Sequence, residues 1–586
     1  MKDTPFTATR LLALYDQVAE AEDAIPRLRR FVLDLAVRGK LVAQDSGDEP
    51  AAELLKRIAK EKARLVKSGE IRKPRDLDEG TEVELKFDLP ATWRWCRLDT
   101  VGAIVGGGTP SAADGSNFAE PGEGHPWLTP ADLGGYRDPT IARGSRDLTE
   151  SGLRSSSATV MPAGAVLFTS RAPIGYVAIA ANPISTNQGF KSIVPYVAEF
   201  SEYVALAMRA FAPEIDAKAP GTTFKEVSGK IVAGVPFPLP PLAEQRRIVG
   251  RVEELMALCD QLQAAWAGER AVRNRLTSAT LSRLTAPDQP AEATSQNARF
   301  ALQSLTTLTT RPAQIKALRQ TILNLAVRGK LVEQDPTDEP AAELLRRIER
   351  ERATKARGAK VRAKRPIPFM DQTSISNLPE SWLIEAIGNL VDPTATISYG
   401  VLVPGPDVTD GIPFVRVQDL VLTGHPDRPN KTIAPEIEAP YARTRLRGGE
   451  ILLCVVGSIG KLGIAPPSWA GANIARAVAR IAPVESILSD YLLLAMRSDL
   501  IQTYCVEATR TLAQPTLNVG LIEVLPIPLP PLAEQHRIVA RVDALMALCD
   551  QLEASLTTTT TTRSRLLEAL LHEALEPVAV GLEAAE

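Results

Sequence analysis

Cysteine and histidine are scarce in this chain, and each scarcity removes a class of protein. The five cysteines (Cys96, Cys259, Cys454, Cys505 and Cys549) form no CxxC pair, and their odd number argues against a disulfide frame, so reduced thiols are expected. The four histidines, His125, His425, His536 and His572, lie far apart, so no zinc site of the usual His/Cys kind is expected. No run of about 18 uncharged apolar residues occurs, which excludes membrane-spanning helices. The opening MKDTPFTATRLLALYDQ mixes acids with bases and lacks an apolar signal core, so a cytoplasmic location is expected. Excess charge is missing too: 67 basic against 70 acidic residues leave −3, which gives no global attraction to nucleic acid. Any DNA-binding role must rest on local patches. What remains, 45% hydrophobic and 23% charged residues over 586 positions, describes a soluble protein with several cores.

A long internal repeat organises the chain. LAVRGKLVAQDSGDEPAAELLKRI begins at Leu35 and LAVRGKLVEQDPTDEPAAELLRRI at Leu325; LPPLAEQRRIVGRVEELMALCDQL begins at Leu239 and LPPLAEQHRIVARVDALMALCDQL at Leu529. Both pairs are 290 residues apart. Between the matched blocks each half holds about 150 residues, opening alike as LPATW (Leu89 to Trp93) and LPESW (Leu378 to Trp382) and then diverging. Solenoid repeats run at roughly 20–50 residues, so one long duplication points instead to a pseudo-twofold molecule.

The repeated blocks read as helices. After Pro240-Pro241, apolar residues at Ile248, Val252, Leu255, Cys259, Leu262 and Trp266 follow the alternating 4-3 spacing of a coiled-coil seam, repeated at Ile538, Val542, Leu545, Cys549, Leu552 and Leu556. The prolines and Glu244/Glu534 suit a helix start. A helix from Ala243 to about Leu284 would be on the order of 60 Å long and act as a spacer; a core helix in an ordinary bundle is the competing reading, and the duplicated spacing favours the spacer. The other block, about Pro26 to Lys67 and Gln314 to Lys355, breaks at Gly39 and Gly329 and restarts at DEPAAELL. The chain's middle carries both blocks in series and its ends carry one each, so the N- and C-terminal blocks are expected to pair as a second copy of the central module. Thr285 to Thr310, rich in Ala, Ser, Thr, Gln and Pro, reads as a flexible linker, and the run Thr557 to Thr562 is unusual for a helix.

The expected division is a helical region at 1–85, an insert at 86–238, a central region at 239–375, a second insert at 376–528 and a long helix at 529–586. Each insert reads as short β-rich segments between Gly and Pro turns, with a helical stretch near its end (Glu202 to Phe211; Leu488 to Ile501), which suits a compact α/β domain. The first carries GGGTP (Gly106 to Pro110), WLTPADL (Trp127 to Leu133), GAVLFTSRAPIGYVAIA (Gly164 to Ala180), STNQGFKSI (Ser185 to Ile193) and GTTFKEVS (Gly221 to Ser228). In the second, GIPFVRVQDL (Gly411 to Leu420), GEILLCVVGSIGKLGIA (Gly449 to Ala465), ANIARAVARI (Ala472 to Ile481) and TLAQPTLNV (Thr511 to Val519) take the corresponding places.

The LPPLAEQ blocks, the LAVRGKLV…DEPAAELL blocks, the LP-x-x-W openings and the G-x-[IV]-L segments together resemble the specificity subunit of Type I restriction-modification enzymes, over nearly the whole chain. The resemblance implies an α+β or α/β architecture: two target recognition domains joined by long antiparallel coiled-coil helices. It implies that each insert reads one half of a split DNA site, and that the helices set the spacing and dock two modification (methyltransferase) and two restriction subunits. S-adenosylmethionine, ATP and Mg are then expected on those partners, with no cofactor on this chain. Independently of the resemblance, operator symmetry mirrors protein symmetry, so two unlike readers on one twofold frame should bind an asymmetric bipartite site.

Reading base edges needs forked donors and amides, whereas phosphate contacts need only positive charge. The candidate DNA contacts are therefore Arg171, Asn187, Gln188, Lys191, Thr222, Thr223 and Lys225 in the first insert, and Arg416, Gln418, Lys461, Arg476, Arg480, Gln514 and Asn518 in the second. For each, a solvated or turn-capping role competes. Basic runs at Lys56 to Arg75 and Arg346 to Arg365 precede the inserts and read as phosphate contacts or as solvated helix ends.

Catalysis is not expected of the chain itself. A methyltransferase needs a glycine-rich cofactor loop and an acidic or amide residue beside Pro-Pro to hold a flipped adenine, but Pro466-Pro467 sits in IAPPSW. Gly457 to Lys461 is too short for a phosphate loop, with no Ser or Thr after the lysine, and no Walker loop or nuclease cluster is present. A single-chain restriction-methylation enzyme would need a catalytic domain absent here. A structural coiled-coil adaptor would explain the seams but not two dissimilar inserts of equal size.

Overall fold

In each half the Leu-Pro-x-x-Trp segment meets the start of a long helix. The tryptophan is the largest apolar side chain there, and burying it obliges its indole N–H to find an acceptor. Trp93 donates to Glu244 at 2.9 Å and Trp382 to Glu534 at 2.9 Å. The same carboxylates accept from Gln44 and Gln334, each at 2.6 Å. Gly39 (φ +67°) and Gly329 (φ +66°) take a left-handed conformation, and a Cβ on either would strike the ring of Pro90 or Pro379. One turn along the helix, Arg247 grips Asp48 (2.6 Å) and Arg537 grips Asp338 (2.7 Å).

The computed structural model describes residues 21, 23–71, 87–221, 225–286, 291–304, 308–359, 366–369, 378–509 and 516–575. By its contacts the chain divides into two units, 1–267 with 560–586, and 268–559.

In the first unit, helices Ala24–Val37 and Ala51–Lys67 lie under the head, and Val32, Ala36, Leu54 and Ile58 share one core with Trp93, Tyr203, Phe237, Ile248 and Val252. Strand Arg94–Arg97 pairs antiparallel with Pro236–Leu239, closing the insert's two ends on each other. Above them stands a five-stranded sheet in the order Gly102–Gly106, Lys191–Pro195, Val166–Ser170, Ile174–Ala180, Thr140–Ile141. Its Val166–Ser170 strand is buried throughout, as expected of a strand covered on both faces. A second sheet of four strands runs Phe118–Ala119, Arg146–Leu148, His125–Leu128, Ser185–Thr186. The helical stretch expected near the insert's end is Ser201–Ala217, and its Tyr203 hydroxyl donates to the Pro238 carbonyl at 3.0 Å.

The second unit repeats the base and changes the top. Strand Leu383–Ala386 pairs with Pro526–Leu529, and Tyr491 donates to the Pro528 carbonyl at 2.7 Å. The sheets are smaller: Ser398–Tyr399, Val478–Ile481, Ile451–Cys454, Leu462–Ile464 in one, and Lys431–Ile433, Ile412–Val415, Asn473–Ile474 in the other. Here the helical stretch is split into Ser489–Arg497 and Asp499–Glu507.

The long helices are Leu242–Thr285 and Leu532–Leu575, 44 residues each, about 66 Å at 1.5 Å per residue. The first half of each seam is occupied within its own unit. Ile248 and Val252 share a core with the helix Ala24–Val37, whose Arg29 reaches Asp260 at 2.5 Å; Ile538, Val542 and Cys549 share one with Pro312–Ala326, whose Arg319 reaches Asp550 at 2.5 Å. The expected pairing of the chain's ends is present in the first unit: Ala21, Ala24 and Phe31 pack with Leu567, Leu570 and Leu571, Ser564 donates to Asp23 (3.0 Å), and Lys40 donates to the Leu575 carbonyl (2.8 Å). Its counterpart in the second unit joins Gln314 to Asn274 (3.0 Å) and Lys330 to the Ala286 carbonyl (2.8 Å). The expected linker is helical over Ala291–Gln303, where Ala, Glu, Gln and Arg are good helix formers. The threonine run stays helical as well; Thr557 and Thr558 bond back to the carbonyls of Glu553 and Ala554.

Among the described residues no helix is long and apolar enough to cross a membrane, and no cluster of His, Cys, Asp or Glu is placed to hold a metal ion. All five cysteines are free and buried, and burial pushes the Cys96 and Cys505 thiols up to about 12.

Candidate nucleic-acid interface

In both heads three segments cross at one corner, held by the same backbone bonds. Trp127 and Leu128 pair in parallel with Ser185 and Thr186; Phe414 and Val415 pair in parallel with Asn473 and Ile474. The chain then leaves the second strand of each pair with one more bond to the first, Asn187 to the Leu128 carbonyl at 2.8 Å and Ala475 to the Val415 carbonyl at 2.9 Å. From the other side comes a glycine segment, where the Gly108 N–H donates to Thr186 and the Val401 N–H to Ile474, both at 2.8 Å. A Cβ on Gly107 or Gly400 would collide with those carbonyl oxygens, so GGGTP and SYGVLVP both need glycine there. The first strand's exit is capped alike, by Asp132 accepting from the Thr129 N–H (2.7 Å) and Asp419 from the Arg416 N–H (2.8 Å).

On this shared scaffold the outward side chains differ. In the first head Gln188 is exposed at the tip of a turn that Asn187 closes by accepting from the Gly189 N–H at 2.8 Å, and Thr109 hydrogen-bonds to the Gln188 amide. Lys191 and Arg171 flank it, both near Glu226 (3.6 and 3.7 Å), and Trp127 braces the glycine segment through a 3.0 Å bond to the Gly108 carbonyl. In the second head the corresponding positions hold Arg476, exposed, and Leu402 with Val403, which are 51% and 70% exposed. Lys461 anchors nearby on the Val417 carbonyl at 2.9 Å, and Gln418 is exposed on the capped turn. Burial pushes the Tyr399 phenol up to about 12 against the opposing pull of Arg476, so it stays protonated and donates to Leu517 at 2.7 Å.

The structure therefore gathers Asn187, Gln188, Lys191 and Arg171 at one corner, and Arg416, Gln418, Lys461 and Arg476 at the other. Three described candidates lie elsewhere, and a fourth, Arg416, is already engaged. Lys225 lies against Asp216 at 3.2 Å, and Asn518 caps a short helix by accepting from the Leu521 N–H at 2.9 Å. Arg416 sits at the corner, but its guanidinium is occupied by Asp419 at 3.2 Å. Arg480 corrects the sequence reading: it is 3% exposed inside strand Val478–Ile481, its guanidinium donates to the Arg445 carbonyl at 2.8 Å, and burial lowers its pKa. It is a bracing residue, not a surface contact. Thr222, Thr223 and Gln514 lie outside the described residues.

Sequence reasoning missed Thr109, Leu402 and Val403, and the network behind Arg476. There Glu438, fully buried, accepts from Arg445 (2.7 Å) and from Asn473 (2.8 Å), whose own side-chain oxygen accepts from Thr444 (2.6 Å). The Arg445 guanidinium beside it, with Asn473, holds the Glu438 carboxyl below the usual range despite burial.

The family model for the Type I restriction modification DNA specificity domain matches residues 90–265 and 409–559, more than half the chain; it covers the first corner and, of the second, the paired strands Ile412–Val415 and Asn473–Ile474 but not the glycine segment at 400–403. The chain belongs to the Type I restriction-modification specificity family. Two relatives from Escherichia coli match almost end to end: the Type I restriction enzyme EcoEI specificity subunit, 29% identical over 588 residues, and the EcoAI specificity subunit, 28% over 605 residues, each alignment covering 94% of both proteins. Among solved structures, the HsdS subunit from Thermoanaerobacter tengcongensis is 21% identical over 84% of this chain and 98% of its own, with a TM-score of 0.39. As a specificity subunit this chain is a non-catalytic DNA-recognition component.

Proposed function

We propose that this specificity subunit reads an asymmetric bipartite site in double-stranded DNA, one half with each head, as part of a complex with two modification and two restriction subunits. The observation that carries this reading is a repeated base under unlike tops: matching tryptophan–glutamate and arginine–aspartate contacts in each unit, below sheets of five and four strands in one head and four and three in the other. A pseudo-twofold frame would present both heads to one duplex, and the long helices, paired as an antiparallel coiled coil, would set half-sites about one helical turn apart, roughly 34–36 Å. S-adenosylmethionine, ATP and Mg would then serve the partner subunits. The basic helix ends, including exposed Arg357, and the cations around each corner would supply the sequence-independent part of affinity.

Enrichment from randomised duplexes by the chain assembled with its modification subunits tests the proposal. A motif of two different half-sites separated by a fixed unread gap is expected. A palindrome, a single contiguous site or no enriched motif would refute it.

A further inference from the structure

Two exposed side chains that occupy the same place on the two scaffolds differ in the one property that base reading requires. Gln188 follows the second parallel strand by two residues in the first head, and Arg476 follows it by two in the second. Both strand exits carry the same backbone bonds, to Leu128 and Val415 on one side and from Gly108 and Val401 on the other. Here the backbone is kept and the side chain changes from a forked amide to a forked guanidinium.

The neighbours change in step. Beside Gln188, the Thr109 hydroxyl donates to the Gln188 side-chain oxygen, which leaves the amide N–H groups without a part in that bond. Beside Arg476, the equivalent of Thr109 is Leu402, followed by Val403, and this apolar pair stands in solvent although the head has a buried core for such residues. Apolar side chains at a base edge contact the thymine methyl, glutamine matches the N6/N7 edge of adenine, and arginine matches the O6/N7 edge of guanine.

We infer that Gln188 and Arg476 are the corresponding base-reading residues of the two heads: Gln188 selects adenine in one half-site, and Arg476 selects guanine in the other beside a thymine contacted by Leu402 and Val403. This rests on the reading of both heads as DNA readers. Lys191, Arg171 and Lys461 lie to the side and serve the phosphates.

The test is randomised-duplex enrichment with the full chain assembled with its modification subunits, comparing wild type with Gln188→Arg, Gln188→Ala, Arg476→Gln and Arg476→Ala. Both residues are exposed, and thermal unfolding checks that each variant is folded. Gln188→Arg should move the preference from adenine to guanine at one base pair of one half-site, and Arg476→Gln should do the reverse at one base pair of the other. The alanine variants should flatten preference at those same base pairs by roughly 5- to 150-fold, with the salt dependence unchanged. Leu402→Ser with Val403→Ser should relax the neighbouring thymine only. Unchanged motifs, or affinity lost equally for all sequences with a shallower salt slope, would overturn the inference while leaving the two-headed reading intact. If wild type enriches no split motif, the two-headed reading fails and this inference with it.

Discussion

Replacing Glu534 by alanine isolates one contact on which the second unit's base depends. Glu534 is 1% exposed and accepts from the Trp382 indole at 2.9 Å and from Gln334 at 2.6 Å. Gln334 is exposed and can turn to water, but Trp382, at 4% exposure, cannot, so its N–H is left without an acceptor. A buried donor so stranded costs about 1–3 kcal/mol, and removal of a desolvated carboxylate returns part of it, so a net loss of about 2 kcal/mol is expected. Glu534→Gln keeps a carbonyl facing the indole and should cost less than about 1 kcal/mol. Burial raises the Glu534 pKa, and bonds from Trp382 and Gln334 only partly oppose it. The folded state therefore favours the protonated acid. This stabilising contribution is complete below the ordinary glutamate pKa and is lost as pH rises through the higher folded value, so Glu534→Gln should gain on wild type across that window. Hydrogen exchange under urea at strand Leu383–Ala386 measures the loss, and strand Arg94–Arg97, whose Glu244 clamp is intact, is the internal control. Equal exchange in Glu534→Ala and wild type, or a larger loss in Glu534→Gln than in Glu534→Ala, would refute the argument.

Three further outcomes are expected. Gly400→Ala should displace the glycine segment through its collision with the Ile474 carbonyl, abolishing sequence preference in one half-site of the enriched motif while leaving the other unchanged. Arg480→Ala should lower stability by about 1–3 kcal/mol, read by thermal unfolding, because the Arg445 carbonyl loses its donor, and it should leave base preference unaltered. Leu570→Asp should place a carboxylate among Ala24, Phe31 and Leu567, removing at least about 1.5–3 kcal/mol of burial and accelerating hydrogen exchange in helix Ala24–Val37.

The base of each unit was legible in the sequence because the repeated blocks carry matching residues that make matching contacts. The blocks at Leu35 and Leu325 bring Asp48 and Asp338, the blocks at Leu239 and Leu529 bring Arg247 and Arg537, and the two meet. The corners were legible only in part. GGGTP, WLTPADL and STNQGFKSI each stood out, but their convergence depends on parallel pairing between Trp127 and Ser185, which no local pattern encodes. The equivalence of Gln188 with Arg476 was hidden for the same reason: it lies in hydrogen-bond register, not in side-chain identity. Arg480 was misread because a charged residue in a short apolar strand is expected to point outward, whereas all four residues of Val478–Ile481 are buried. The linker was misread from composition, because its Ser, Thr and Pro content hid the alanines, glutamines and glutamate that favour the helix Ala291–Gln303.

The helix near the N-terminus closes on the tail of the last helix, and Pro312–Ala326 closes on the tail of Leu242–Thr285. A polypeptide cut to one half would thus retain a short helix deprived of its mate and a tail deprived of its cover. Two such fragments could satisfy each other only reciprocally. Under the proposed two-headed reading the product would carry identical readers and its expected target would be a palindrome, whereas two unlike halves in one chain would permit a site whose sides differ.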